Sequence, residues 1–260
     1  MSGLRRGAGL FSAFSAFSAH SALLSRRLVL FDIDGTLLWS RGAGRRALLA
    51  AMAGEVPGLA PLHPARAAEI RFDGKTDPRI VVELLQAAGI GDPEEPRRIA
   101  GILERYVSFL ERELAVPGHR TEVLPGVVSL LARVEAAEGA VLGLLTGNVA
   151  MGARLKLRSA ALEPERFRVG AFGSDHADRA RLPSIATERA IPWFGRTPHG
   201  AEVVIVGDTP ADVTCGIVLG ARAIGVATGS YSAEELAQAG AAAVFRDLSA
   251  TDMVWEAIWA

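Results

Sequence analysis

Between residues 125 and 226 the chain alternates short apolar runs with stretches of helical periodicity, and the runs lead into small polar clusters. Residues 140–145 read as a strand ending in Thr146-Gly147-Asn148. Residues 168–172 lead into Gly173-Ser174-Asp175, and residues 202–206 into Gly207-Asp208-Thr209-Pro210. Residues 221–226 form another strand. The intervening stretches 125–137, 149–162, 183–190 and 211–220 read as helices. Uninterrupted apolar strands alternating with helices specify a parallel sheet covered on both faces. An earlier run, Leu28-Val29-Leu30-Phe31, fits the same sheet and ends in Asp32-Ile33-Asp34-Gly35-Thr36-Leu37. The expected fold is α/β, a doubly wound, Rossmann-like parallel sheet. The C-terminal ends of its strands share one edge, where ligands bind, so Asp32, Asp34, Thr146, Asp208 and Asp212 are expected to converge although up to ~180 positions separate them.

The first of these clusters holds two carboxylates one residue apart. On a continuing strand Asp32 and Asp34 would point the same way, with Ile33 facing the core. Adjacent like charges raise each other's pKa unless a cation or a proton sits between them. The pair therefore implies a divalent metal, a shared proton, or both, and oxygen ligands favour magnesium. A solvated turn that happens to carry two aspartates is the alternative, and this stretch alone leaves it open.

The segment after Leu37 is helical. Residues 45–52 read as a helix start, and residues 55–64 as a loop broken by proline and glycine. Asp77-Pro78 and Asp92-Pro93 read as N-cap and first-turn pairs opening two further helices. The first carries Ile80, Val81, Leu84 and Leu85 on one face. The second runs from Ile99 to Leu114 and ends at Pro117-Gly118. Two short strings in this segment mislead. Gly42-Ala43-Gly44-Arg45-Arg46-Ala47 has dinucleotide-binding spacing but lies too far beyond its strand, and Gly74-Lys75-Thr76 lacks the earlier glycine of a phosphate loop, where Glu69 stands.

Composition limits the partners. The 260 residues carry a net charge of −1, which argues against binding dominated by nucleic-acid phosphates. A single cysteine, Cys215, rules out an intramolecular disulfide and fits a reducing cytoplasm. No two of the five histidines have zinc-ligand spacing. Residues 1–26 contain no acid and repeat Phe-Ser-Ala from Phe11 to Ala19, so they read as a low-complexity, disordered extension. No run is long and apolar enough to span a membrane.

Taken together, Asp32-Ile33-Asp34-Gly35-Thr36-Leu37, Thr146 after a hydrophobic strand, and Gly207-Asp208-Thr209-Pro210-Ala211-Asp212 resemble the motifs of the haloacid dehalogenase (HAD) superfamily of phosphotransferases. The resemblance runs from about Arg27 to the C-terminus, in the branch of phosphoglycolate phosphatases and β-phosphoglucomutases. It implies a Rossmann-like core of residues 27–38 and 120–260 and an inserted helical cap of residues 39–119. It further implies that Asp32 attacks phosphorus and that Asp34 protonates the leaving oxygen, then takes a proton from water. Magnesium would be held by Asp32, the Asp34 main-chain carbonyl and Asp208, with Asp212 orienting the metal shell. Thr146, Gly147 and Asn148 would hold the phosphoryl group. The superfamily's third-motif lysine is missing from Asp178-Arg179-Ala180-Arg181-Leu182-Pro183. Arg179 is the preferred replacement, with Arg181 as the other candidate. In the cap, Lys75 and Arg45 are candidates to reach a substrate anion. Trp39 is expected to pack in the core or cap, and Cys215 to be a small buried residue.

Asp34 together with Asp208 favours phosphoryl transfer over dehalogenation, which has no ester oxygen to protonate and no need of magnesium. The implied activity is a magnesium-dependent phosphatase for a small phosphorylated metabolite, of phosphoglycolate or sugar-phosphate type. A sugar-phosphate mutase is the alternative, ahead of a dehalogenase or a non-catalytic binding module. The expected partner is that metabolite alone, with no nucleic acid and no membrane, on a monomer or homodimer. A dinucleotide-dependent dehydrogenase is excluded, because no glycines follow the first strand directly.

Overall fold

A computed structural model describes residues 26–53 and 69–260. The expected extension, apart from Arg26, and the loop at 55–64 lie outside the described residues. The core is a six-stranded, wholly parallel sheet in the order β5-β4-β1-β6-β7-β8, built from β1 (Arg27–Phe31), β4 (Ala140–Thr146), β5 (Val169–Phe172), β6 (Val203–Gly207), β7 (Arg222–Val226) and β8 (Ala243–Phe245). β1 lies between β4 and β6, with Leu28 level with Val141 on one side and Val203 on the other.

Alternation along the strands divides the core into two layers. Val29, Phe31, Leu142, Leu144, Val204 and Val206 pack against α4 (Val127–Ala136), α5 (Ala150–Ser159) and α10 (Thr251–Trp259). Leu28, Leu30, Val141, Val203 and Ile205 pack on the opposite face, against Leu182 and Ala186 of α6 (Leu182–Arg189). Both faces are covered, which is why the strands read as unbroken apolar runs. This is the doubly wound α/β fold that the sequence implies. Among the described residues no helix is long and apolar enough to cross a membrane.

The inserted helices α1 (Ala43–Ala53), α2 (Asp77–Ala87) and α3 (Pro96–Leu114) share an apolar cluster of their own, including Leu48, Met52, Leu84, Leu85, Ile102, Tyr106 and Leu110. Val149, from the sheet edge, joins it. Two short strands that the sequence pattern did not announce bracket this insert: β2 (Leu38–Trp39) pairs antiparallel with β3 (Glu122–Val123). Two residues apiece are too few to show a period.

Several boundaries differ from the sequence reading, each for a local reason. Thr76, not Asp77, caps α2, its hydroxyl accepting from the Arg79 amide at 3.3 Å, because the Asp77 carboxylate is used elsewhere. α3 begins at Pro96 rather than Pro93, capped by the Glu95 carboxylate, which accepts from the amides of Arg97 and Arg98 at 2.9 and 2.7 Å. The helix after β6, α8 (Pro210–Cys215), stops at Gly216, and a separate 3-10 turn, Ile217–Leu219, follows. Two shorter helices, α7 (Ile191–Phe194) and α9 (Ala233–Gln238), complete the set among the described residues.

Candidate active site

The C-terminal ends of β1, β4 and β6 and the inserted helices line a partly open cavity of about 240 Å³. Asp32, Asp34, Thr146 and Asp208 all reach it, from positions far apart in sequence. Strand β1 ends at Phe31, so Asp32 and Asp34 do not ride on a continuing strand. The chain turns through Ile33, whose carbonyl accepts from the amides of Leu37 and Leu38 at 2.9 and 3.1 Å. Gly35 makes the turn possible at φ 78°, and a Cβ there would sit 2.3 Å from Asp208 Oδ2. Only glycine satisfies both demands.

Three buried carboxylates, Asp32, Asp208 and Asp212, offer oxygens within 4.8 Å of one another. The Arg179 guanidinium, itself buried, reaches two of them: it hydrogen-bonds Asp212 and lies 3.4 Å from Asp32 Oδ2. Asp212 is further held by the Thr209 hydroxyl and amide at 2.6 and 3.0 Å, in the capping box that opens α8. Burial pushes the Asp32 carboxyl up to about 7. Arg179, the Ile33 amide and the Thr146 hydroxyl pull it down, while the Asp212 charge adds to the rise. Asp208 is raised well above the usual carboxylate range by burial and by its two carboxylate neighbours, with the Thr36 hydroxyl at 3.1 Å as an opposing bond. Burial alone would lower Arg179, but Asp212 and Asp32 reverse that, so its charge is held more firmly than usual.

This donor set fits a divalent cation. Three carboxylates face one guanidinium, and that guanidinium is engaged with Asp212 and Asp32, leaving Asp208 beside Asp32 with no basic side chain in ion-pair contact among the described residues. Oxygen donors at such a site suit magnesium. Asp32 and Asp208 would hold the ion, together with the Asp34 main-chain carbonyl. The Asp34 carboxylate is directed elsewhere, and Asp212 is taken up by Arg179 and Thr209. When bound, such an ion would neutralise the carboxylates and let a phosphoryl anion approach.

Asp34 sits in a second group. Its Oδ2 accepts from Lys156 Nζ at 2.6 Å and Asn148 Nδ2 at 2.9 Å, and its Oδ1 from the Ser40 hydroxyl at 3.3 Å. Burial acts to raise this carboxyl, but its side chain is 41% exposed, and Lys156, Asn148 and Ser40 together bring it below the usual value. Asn148 also donates to Thr146 Oγ1 at 2.8 Å, linking the two groups.

The other candidates are distributed unevenly. Lys75 and Arg45 both line the cavity. Lys75 is paired with Glu83 at 2.5 Å, and Arg45 lies over the Phe72 ring at 4.4 Å while donating to the Ile70 carbonyl at 3.1 Å. Gly147 lies on the cavity wall. Arg181 is exposed and does not line the cavity, one side of a 3-10 turn away from Arg179, which does. Trp39, expected to pack inside, is 42% exposed and faces the cavity, because β2 carries it to the surface edge. Cys215 is buried, with its thiol donating to the Asp212 carbonyl at 3.3 Å.

Sequence reasoning missed Lys156. The signal was present: Lys156 falls three residues after Ala153 and one before Leu157, on the face that α5 buries. A lysine on a buried helical face needs a partner, and here it has two. Asp77 was read only as a cap. Its carboxylate accepts from the Val149 amide at 2.8 Å, and its own amide donates to the Gly147 carbonyl at 2.8 Å, tying α2 to the loop after β4.

Comparisons with known proteins agree with this architecture. Residues 181–251 match the model of the HAD-hydrolase-like family. No curated protein matches the chain in sequence. Among solved structures, a hydrolase from Pseudomonas syringae is 22% identical with a TM-score of 0.65, over 89% of this chain and 99% of that one. CbbY from Rhodobacter sphaeroides, in complex with phosphate, is 21% identical with a TM-score of 0.64, over 86% and 95%. A predicted phosphoglycolate phosphatase from Haemophilus somnus is 16% identical with a TM-score of 0.62, over 88% and 98%. The chain shares the fold of these structures, and its sequence match to the HAD-hydrolase-like family lies in the stretch that carries Asp208 and Asp212.

Proposed function

We propose that this chain is a magnesium-dependent phosphatase that hydrolyses a small phosphorylated metabolite through an aspartyl phosphate. The observation that carries the reading is the buried Asp32–Asp208 pair at a partly open cavity, short of positive charge in a way that a divalent cation would correct. Four basic side chains, Arg45, Lys75, Lys156 and Arg179, line the same cavity and suit an anionic substrate. Its volume of about 240 Å³ suits a small molecule. Phosphoglycolate and short sugar phosphates have the required size.

In the first half of the reaction an Asp32 oxygen forms a bond to phosphorus as the phosphorus–ester oxygen bond breaks. The leaving oxygen takes the proton of the Asp34 carboxyl. A phosphoryl anion entering beside Asp34 favours that protonated form by like-charge repulsion. Water then bonds to phosphorus, the phosphorus–Asp32 bond breaks with its electron pair returning to the carboxylate, and the water proton goes to Asp34. The Thr146 hydroxyl holds a phosphoryl oxygen, and Arg179 keeps Asp32 and Asp212 in place. The cap helices shield one side of the cavity from bulk water.

The test is phosphate release from an aryl phosphate and a panel of small phosphorylated metabolites, with magnesium or with EDTA, for the native chain and Asp32→Asn. Magnesium-dependent release that Asp32→Asn abolishes is expected. Redistribution of phosphate within a sugar without net release would convert the reading to a mutase, and halide release from a 2-haloacid without magnesium would overturn it.

A further inference from the structure

By volume, Tyr106 is the largest side chain to be fully buried among the described residues, and it lines the active-site cavity. It comes from the inserted helix α3, whose buried face carries Ile102, Tyr106 and Leu110 at helical spacing. Packing explains an apolar ring between two aliphatic neighbours, and phenylalanine would fill the same space. Tyrosine adds a hydroxyl, which costs free energy in a buried position unless it is hydrogen-bonded. Tyr106 is 1% exposed, yet its hydroxyl has no hydrogen-bond partner among the described residues.

The ring is fitted between two glycines. A Cβ on Gly152 of α5 would lie 3.5 Å from Tyr106 Cε1, and a Cβ on Gly44 of α1 would lie 3.6 Å from the Tyr106 hydroxyl oxygen. The same Cβ on Gly44 would lie 3.1 Å from Lys156 Nζ. Hydroxyl and ammonium therefore come together at Gly44, and all three residues line the cavity. This neighbourhood gives the phenol proton no acceptor. An ammonium only donates. The Asp34 carboxylate accepts from Lys156, Asn148 and Ser40, and the Asp77 carboxylate from the Val149 amide; neither accepts from Tyr106. What remains is a rigidly seated donor on the cavity wall.

We propose that Tyr106 is a specificity-determining residue: its hydroxyl donates a hydrogen bond to a hydroxyl oxygen of the leaving group, selecting phosphate esters of hydroxylated alcohols over those of plain alkyl alcohols. This rests on the phosphatase reading and adds what the leaving group must carry. Lys156 bonds Asp34, the residue that meets the ester oxygen in that reading, so a donor beside Lys156 faces the carbons that follow the ester oxygen. A site that hydrogen-bonds a substrate hydroxyl rejects the analogue lacking it, because the buried group is then left unpaired.

The experiment compares two isosteric pairs of esters, 2-hydroxyethyl phosphate with propyl phosphate and 3-hydroxypropyl phosphate with butyl phosphate. Each is assayed with magnesium on the native full chain and on Tyr106→Phe. In at least one pair the native chain should favour the hydroxylated ester in kcat/KM. Tyr106→Phe should lower that ratio about three- to tenfold, the scale of one neutral hydrogen bond. The loss should fall on the hydroxylated ester, leaving its alkyl isostere within about twofold of the native value. A uniform loss across all four esters would make Tyr106 a packing residue and overturn the proposal. So would a native chain without the preference, or a variant that keeps it. Urea unfolding without substrate gives an independent readout. The hydroxyl has no partner in the fold to lose, so Tyr106→Phe should unfold at a midpoint no lower than the native chain. A lower midpoint, or a variant that does not fold, would show the hydroxyl to be bonded within the fold and overturn the proposal. A native chain that releases no phosphate from any ester would refute the phosphatase reading itself, and this inference with it.

Discussion

Removing the Arg179 guanidinium should destabilise the fold, and do so more at neutral than at acid pH. Arg179 is buried against Asp32 and Asp212, at 3.4 Å from the former and hydrogen-bonded to the latter. At an effective dielectric near 20, a unit pair at 3.4 Å attracts by about 5 kcal/mol before desolvation is counted. Arg179→Met forfeits that attraction, recovers the guanidinium's desolvation cost, and leaves three clustered carboxylates without a cation. The net loss for a broken buried pair is about 3–5 kcal/mol. The carboxyls have a way to relieve it. Burial already pushes Asp32 up to about 7, and loss of Arg179 removes the strongest influence pulling it down. A carboxyl whose folded pKa lies above its unfolded value binds more protons when folded, so stability falls as pH rises between those two values. The variant should therefore be closer to the native chain at pH 5.5 than at pH 7.5. Urea unfolding in EDTA at both pH values measures this, since no divalent cation can then substitute for the guanidinium. A loss under ~1 kcal/mol at pH 7.5, below the range for a buried pair, or an equal loss at both pH values, would refute the electrostatic account.

Two further outcomes follow from the same geometry. Burial pushes Asp77 up to about 6 from 3.8, against the pull of Lys156 and the Val149 amide, so this group should cost on the order of 3 kcal/mol of stability as pH rises through that window. Asp77→Asn should lose that contribution, and urea-unfolding profiles of the two chains that run parallel from pH 4 to 7 would contradict it. Burial likewise pushes the Cys215 thiol up to about 12, so it should resist a thiol reagent at pH 8 in the folded chain and react promptly in urea; fast labelling of the native chain would show the site to be open.

The parallel sheet was legible because each of its central strands is a continuous apolar run ending in a polar cluster, and a strand buried on both faces needs no alternation to be recognised. Convergence of Asp32, Asp34, Thr146 and Asp208 followed from topology alone. What escaped the sequence was whatever depends on contacts between distant elements. β2 and β3 exist only by pairing with each other. The sequence preferred Arg179 to Arg181 without a geometric reason; the two flank one alanine on a 3-10 turn, and Arg179 is the one that lines the cavity. Asp77 looked like a cap because aspartate before proline usually is one. Its carboxylate is instead taken by Val149, some 70 positions away, and Thr76 caps the helix in its place.

The contact between the start of α2 and the loop after β4 combines main-chain approach with two short side chains, since the Asp77 carboxylate also accepts from the Val149 amide. Asp77 donates its amide to the Gly147 carbonyl at 2.8 Å, and a Cβ at Gly147 would lie 2.0 Å from the Lys75 carbonyl oxygen. The Thr76 hydroxyl adds a bond to the Ala177 carbonyl at 2.6 Å. These bonds depend on Gly147, Thr76 and Asp77 and not on the side chains that line the rest of the cavity. Trp39, Arg45, Leu48 and Phe72 face the cavity without taking part in that seam. Mutational drift can therefore exchange these side chains, and with them the shape and charge of the cavity wall, while the helical layer keeps its seat on the sheet. The seam itself tolerates no such drift at Gly147, because any side chain there would push the chain leading into α2 away from the cavity loop.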